Sequence, residues 1–446
     1  MKLFYNKLFL IIFTVLPVVY TSCNQNTSPV NTDKLEFKMN TIAESYVKLV
    51  LKVGQFDPNY VDAYYGPEDW KPKENLTENT SALQSLFNES DAILDPLDAL
   101  SKYDSDELLT LRFRFLYKQI LAVKAKIFLL QGGVLSFDEE AKSLYDAAPP
   151  VYDNQHFQNI ISELDKILPG SGNVSDRLDA FRNKFIIPKD KLDTVFTAAI
   201  NECRKLTLEN IKLPAEENFK IEYVTGKSWG AYNWYKGNSF SIIQVNTDLP
   251  IYIDRAVDLA AHEGYPGHHV YNTLLEKNLF KQKGWVEFSV YPLFSPQSLI
   301  AEGTANYGIH VVLPGESRIN FEKKVLFPLA GLDSSLADEY YKVLELMSKM
   351  NYSSNEAARN YLDGKWTREQ TINWLIKFGL RSKERAEQNL KFIETYRSYV
   401  INYNLGEDIV KNYIQKNGGT ENHPDVRWRL FERLLSLPQT PSGIIK

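Results

Sequence analysis

Apolar residues recur at three- and four-residue intervals from about residue 35 to about residue 212, the spacing of helices that bury one face. The clearest run carries Leu108, Leu109, Leu111, Phe115, Leu116, Ile120, Val123 and Ile127, with Ser105 placed as N-cap and Gly132-Gly133 as the stop. After Pro214 the pattern changes. Phe219 to Val224 alternates with a period of two and Ser239 to Val245 is short and β-rich, so both are predicted strands. Between them, Trp229-Gly230-Ala231-Tyr232-Asn233-Trp234 reads as a turn rich in large aromatics. Helical spacing resumes at Ile251 and continues almost to the end, where Pro438 and Pro441 predict a loose tail. The expected fold is mainly α: a large helical body with one small β-sheet beside a histidine-rich segment at 262–269. Residues 35–446 are expected to form a single domain, since no linker divides them.

The first residues follow a different rule. Lys2 and Lys7 precede an apolar run, Leu8 to Val19, interrupted only by Thr14 and Pro17. At about 12 residues the run is too short to span a bilayer, which takes roughly 20, and it reads as an export signal over residues 1–22. Cys23 follows Tyr20-Thr21-Ser22 and precedes the polar stretch Asn24 to Ser28. That placement resembles the lipid acceptor of a bacterial lipoprotein signal, although Tyr20 stands where leucine is usual. An ordinary secretory signal cleaved nearby, with Cys23 incidental, is the other reading. Residues 23–34 then form a flexible tether. The expected location is the bacterial cell envelope, with the domain outside the cytoplasm and the membrane reached through the N-terminal lipid.

Composition narrows the classes of function. With 44% hydrophobic and 24% charged residues, the 446-residue chain is globular and long enough for a sizeable core. A net charge of −5 gives no concentrated basic face, which argues against nucleic-acid binding. Two cysteines, Cys23 and Cys203, exclude a disulfide framework. Histidine is scarce at six residues, yet three of them fall between 262 and 269.

That cluster, Ala261-His262-Glu263-Gly264-Tyr265-Pro266-Gly267-His268-His269, has the residue types of a zinc peptidase site. The common arrangement places two histidines four residues apart on a helix, with a glutamate beside the first as general base. Here His262 and His268 are six apart, which in an unbroken helix means a rise of about 9 Å and a rotation of about 120°. Pro266 obstructs helix continuation and Gly267 tolerates unusual dihedrals, so a bulge there can return His268 to the side of His262. Returning His269 would require absorbing three residues rather than two, so His268 is the expected ligand and His269 is not. A third ligand is expected from Glu302, a carboxylate in the otherwise apolar Ser298 to Tyr307 stretch, with Asn306 and His310 on nearly the same face.

With those residues in hand, the chain resembles the bacterial family called domain of unknown function 885, grouped with gluzincin metallopeptidases and similar in outline to the thermostable carboxypeptidase Taq family. Its signature H-E-x-x-P-G-H-H is matched by His262 to His269 at every defined position. The following E-G-W-A-x-Y motif is matched by Glu302, Gly303, Ala305 and Tyr307, with Thr304 in place of tryptophan. Val245-Asn246, Tyr64-Tyr65-Gly66-Pro67 and Trp366-Thr367-Arg368-Glu369 are further echoes. The chain departs from the family's D-T-G-x-H, reading Ala358 to Leu362 there, and from its P-G-Q-A, reading Arg397-Ser398-Tyr399-Val400.

The resemblance implies one Zn²⁺ held by His262, His268 and Glu302, with Glu263 as base, hydrolysing short peptides in carboxypeptidase, dipeptidase or oligopeptidase fashion. Tyr403 and His310 are candidates for steadying the oxyanion, and Asn246, Arg397 and Tyr399 for holding substrate. No protein partner is evident. A metal-dependent amidase or esterase acting on a non-peptide envelope substrate would use the same chemistry. A silent zinc- or peptide-binding lipoprotein is disfavoured by the retained Glu263, because a structural zinc needs no base.

Overall fold

Asp106 caps the long helix Glu107–Leu130: its carboxylate accepts a hydrogen bond from the Leu109 backbone N–H at 2.8 Å. The expected cap, Ser105, lies outside the described residues, as do the export signal and Cys23. The computed structural model describes residues 32–78, 81–100, 106–227 and 229–445. Its first helix, Thr32–Val53, begins inside the segment expected to be tether. Leu109, Phe115, Leu116, Ile120, Val123 and Ile127 are all buried, as their spacing requires. Arg112, on the same face, is buried too. It makes a two-pronged ion pair with Glu287, at 2.6 and 3.0 Å, and lies over the Trp285 ring.

The fold is mainly helical, with two small sheets among the described residues where one was expected. Strand β1 (Val61–Tyr64) pairs antiparallel with β5 (Val290–Pro292), linking an early segment to the approach of the Glu302 helix. Strands β2 (Asn218–Val224), β3 (Ala231–Tyr235) and β4 (Phe240–Asn246) form the second sheet in the order β2-β4-β3. Its β2–β4 pair is parallel and its β3–β4 pair antiparallel. Strand β3 corrects the sequence reading: Ala231 to Trp234 looked like a turn, but pairing with β4 converts most of the aromatic stretch into a strand, leaving Trp229 and Gly230 in the approach. Ladder hydrogen bonds to a neighbouring strand outweigh what local composition suggests.

The sheet lies against the segment that carries the histidines. Phe219, Ile243 and Val245 face Leu259 and Ala260 across the contact. On the other side, the Glu302 helix (Pro296–Val312) packs on the Tyr403 helix (Ile401–Lys416). Their approach is close enough that a Cβ on Gly303 would sit 2.4 Å from the Gly406 backbone. The C-terminal tail is ordered rather than loose: Pro441 starts a short helix, Pro441–Ile444, and is buried, because Pro at a first helical position has its φ already set. No helix among the described residues is long and apolar enough to cross a membrane.

Candidate metal centre

The helix that begins at Asp254 widens as it reaches the histidines. Tyr265 N–H bonds to the Ala260 carbonyl, five residues back, and Gly267 N–H bonds to the Ala261 carbonyl, six back. A new helix, His268–Leu275, starts immediately afterwards. The loop is folded so tightly over the preceding turn that a Cβ on Gly267 would lie 1.9 Å from the His262 carbonyl oxygen, so only glycine fits. Two residues are thereby absorbed, and the His262 and His268 Nε2 atoms stand 3.2 Å apart.

Glu302 closes the triangle. One carboxylate oxygen is 3.3 Å from His262 Nε2 and the other 3.5 Å from His268 Nε2. A tetrahedral zinc with ligands at about 2.0–2.1 Å has ligand–ligand edges of about 3.4 Å; the two imidazole nitrogens stand near that separation, and each carboxylate oxygen of Glu302 stands near it from one of them. Glu302 Oε1 accepts a hydrogen bond from the Tyr399 hydroxyl at 2.7 Å, whereas the buried Oε2 has no hydrogen-bond partner. A buried carboxylate oxygen without a hydrogen-bond partner, 3.3 Å from the His262 imidazole nitrogen, fits a cation. His262 Nδ1 is 2.9 Å from Asn306 Oδ1, which holds that nitrogen as the donor and leaves Nε2 with its lone pair. Asn306 Nδ2 in turn donates to the Tyr403 carbonyl at 2.6 Å.

Glu263 is buried beside this triangle, with ligand atoms of His262, Glu263 and His268 all within 4.8 Å of one another. Its backbone carbonyl accepts from Asn233 Nδ2 on β3 at 2.6 Å, so the sheet fixes the turn that carries it. Burial pushes the Glu263 carboxyl above its ordinary value, against the pull of both histidines. Burial also disfavours a charged His268, yet Glu302 outweighs it and lifts the imidazole to about 9. Burial acts against the Glu302 charge as well, but the two histidines hold its carboxyl well below the usual range. Together these shifts describe a pocket whose field favours positive charge.

The triangle forms the floor of a cleft of about 1140 Å³, shared by Asp62, Tyr232, Tyr399 and Tyr403. The Tyr403 hydroxyl makes no hydrogen bond among the described residues, and the residue is 36% exposed. Burial, then the Glu302 and Glu263 charges, keep that phenol protonated.

Other candidates are placed differently. Tyr399 reaches Glu302 rather than open space. Asn246 lines the cleft, but its amide donates to the Lys227 and Trp229 carbonyls and its oxygen accepts from the Asp248 N–H, so it shapes the aromatic loop. Arg397 pairs with Glu140 at 2.7 Å away from the cleft lining. His310 lies two turns beyond Glu302, about 12 Å along the helix, and meets Glu407 at 3.3 Å. His269 points into the core, with Nε2 3.0 Å from Glu217 and Nδ1 2.8 Å from Ser241 Oγ.

The sequence placed Asn306 on the face of Glu302 but gave no sign of its role as the partner of His262, and it gave none of the pair Asp62 and Tyr232. The Tyr232 hydroxyl donates to the Asp62 carboxylate at the cleft wall. Burial lifts that carboxyl to about 6, against the hydrogen bond from Tyr232.

Comparison with known proteins shows the fold and little more. No family model matches the chain, and no curated protein does. A solved structure from Colwellia psychrerythraea, described as a "putative lipoprotein", superposes with a TM-score of 0.50 at 14% identity, covering 84% of this chain and 70% of that one. Another, described as the structure of CHT, gives a TM-score of 0.45 at 12% identity over 93% of both chains.

Proposed function

We propose that this chain is a zinc-dependent peptidase related to the domain of unknown function 885 family, exported and anchored to a membrane through a lipid on Cys23, and acting on short peptides. The observation that carries the reading is the convergence of His262 and His268, whose Nε2 atoms are 3.2 Å apart, on the Glu302 carboxylate, whose two oxygens lie 3.3 and 3.5 Å from them, beside Glu263 at the floor of a cleft. When bound there, zinc would lower the pKa of a coordinated water and polarise the carbonyl of the scissile amide.

The chain supplies the remaining chemistry. Glu263 accepts a proton from the attacking water and returns it to the leaving amine nitrogen. Tyr403 donates its free hydroxyl to the oxygen that gains charge as the carbonyl is attacked. Tyr399 and Asn306 act through Glu302 and His262, fixing the orientation of one and the tautomer of the other. The anchor rests on the sequence around Cys23, and the description of the Colwellia protein agrees with it.

Elemental analysis of the purified chain should find about one equivalent of zinc. Chelation should abolish cleavage of short peptides and zinc should restore it. A chain that purifies without a transition metal, or one that when loaded cleaves esters or sugar amides but no peptide, would overturn the reading.

A further inference from the structure

Five arginines line the cleft, and they fall into two groups. Arg255 and Arg318 are neutralised: Asp258 meets them at 2.9 and 2.8 Å, and Arg318 also pairs with Glu322 at 2.7 Å. Arg182, Arg381 and Arg385 have no carboxylate within ion-pair distance among the described residues. Arg182 and Arg385 both lie over the ring of Tyr252, at 4.1 and 5.5 Å. Arg381 donates to the Ser354 hydroxyl at 3.2 Å, and Arg385 to the Pro250 carbonyl at 3.2 Å. The Nε atoms of Arg182 and Arg381 are buried with no acceptor at all, although the Arg182 guanidinium also meets the Tyr340 hydroxyl.

Such a cluster is costly as it stands. Burial, then the neighbouring Arg385 and Arg182 charges, hold the Arg381 guanidinium down to about 10. Asp254 and Asp179 are the carboxylates that bear on the group, and Asp254 already accepts from the Tyr340 hydroxyl at 2.5 Å. Guanidinium forks with unused donors, gathered at the wall of a substrate cleft, match a planar two-oxygen anion. Their distance from the metal centre follows from the backbone. The helix runs from Asp254, two residues past Tyr252, to His262, a rise of about 12 Å, so the end beside Tyr252 and the arginines over its ring stands about that far along the axis from the histidine.

We propose that Arg182, Arg381 and Arg385 form a carboxylate-binding subsite that holds a negative group of the peptide about four extended residues from the bond cleaved. The inference rests on the peptidase reading for its substrate, and it adds selection by charge and by length. The carboxylate is either the free C-terminus of the peptide or an acidic side chain, and both present the same two oxygens. Held by its C-terminus, a peptide would yield short C-terminal fragments of fixed length rather than single residues; held by an acidic side chain, it would be cut at a fixed distance from that residue.

The test uses the zinc-loaded full chain and peptides identical except for a free acid or an amide at the C-terminus, with a third set amidated but carrying Asp there. The free acid should be cleaved with kcat/KM about tenfold or more above the amide, and the advantage should vanish in Arg381→Gln and Arg385→Gln at unchanged zinc content and Tm. Recovery in the amidated Asp peptide would assign the carboxylate to a side chain, and no recovery to the terminus. Calorimetric binding of the same peptides to Glu263→Gln reads the preference without turnover. Cleavage with acid and amide equal would overturn the subsite and leave the peptidase reading standing. If no peptide is cleaved, the peptidase reading fails and binding decides: an acid preference lost in Arg381→Gln supports the subsite, and no preference overturns it. Should Arg381→Gln fail to fold, Arg385→Gln and the acid–amide comparison in the unaltered chain decide.

Discussion

The Glu217 carboxylate accepts a hydrogen bond from His269 Nε2 at 3.0 Å, in a part of the core where neither side chain meets solvent. Burial acts against the charge on Glu217, but donors from His269, Tyr265 and Arg204 hold its carboxyl below the ordinary value. His269 is thereby tied to the residue preceding β2 through Glu217 and to β4 through Ser241, while its neighbour His268 faces His262. His269→Ala should keep zinc at full stoichiometry and lose about 1–3 kcal/mol of stability, because the buried Glu217 carboxylate loses one of its three donors while Arg204 and Tyr265 remain. His268→Ala should lose zinc. Metal analysis and thermal unfolding separate the two, and loss of zinc in His269→Ala at intact fold would count against the assignment.

Glu263→Gln replaces a proton acceptor by an amide of the same size in a buried position held by Asn233. Zinc content should be unchanged and peptide turnover should fall by two to four orders of magnitude, about the range general-base catalysis contributes. Retained activity near that of the unaltered chain would place the base elsewhere.

Tyr399→Phe removes the one hydrogen bond that Glu302 Oε1 accepts from a tyrosine, with no change in volume. Zinc affinity should fall about tenfold or more, read by competition with a chelator, at little change in Tm. Tyr403→Phe should do the opposite, lowering kcat at constant zinc affinity, since its hydroxyl has no partner to lose.

Cys23→Ser should release the chain from the membrane fraction or stall its processing, since stable anchoring takes two or more acyl chains on the modified cysteine. Unchanged membrane association, with cleavage at another position, would favour an ordinary secretory signal.

Local chemistry announced the site better than it announced the site's surroundings. The Pro266-Gly267 break told, from dihedral freedom alone, that six residues could behave as four, and the observed bonds to the Ala260 and Ala261 carbonyls bear out that geometry. Glu302 stood out as a carboxylate among apolar neighbours, and it does approach both histidines. Asn306, 44 residues from His262, and Tyr399, 97 from Glu302, depend on how helices cross, and no periodicity encodes a crossing. The same limit explains Arg397 and His310: each has the right functional group, but the packing turns one toward Glu140 and leaves the other beside Glu407. Strand β3 was hidden for a related reason, since its partner β4 comes later in the chain.

The contact between Gly303 and Gly406 bears on how the protein would look in a saturation-substitution screen. Neither residue has a side chain to offer, yet any added atom at 303 strikes the backbone at 406, and one at 406 strikes the Leu299 carbonyl at 2.7 Å. Both positions should therefore score as intolerant as Glu302 itself, and a map of essential residues drawn from fitness alone would rank them with the reactive groups. Scoring the same library for abundance separates them: substitutions at 303 and 406 should deplete the protein, while those at Glu263 should leave its amount intact and silence it.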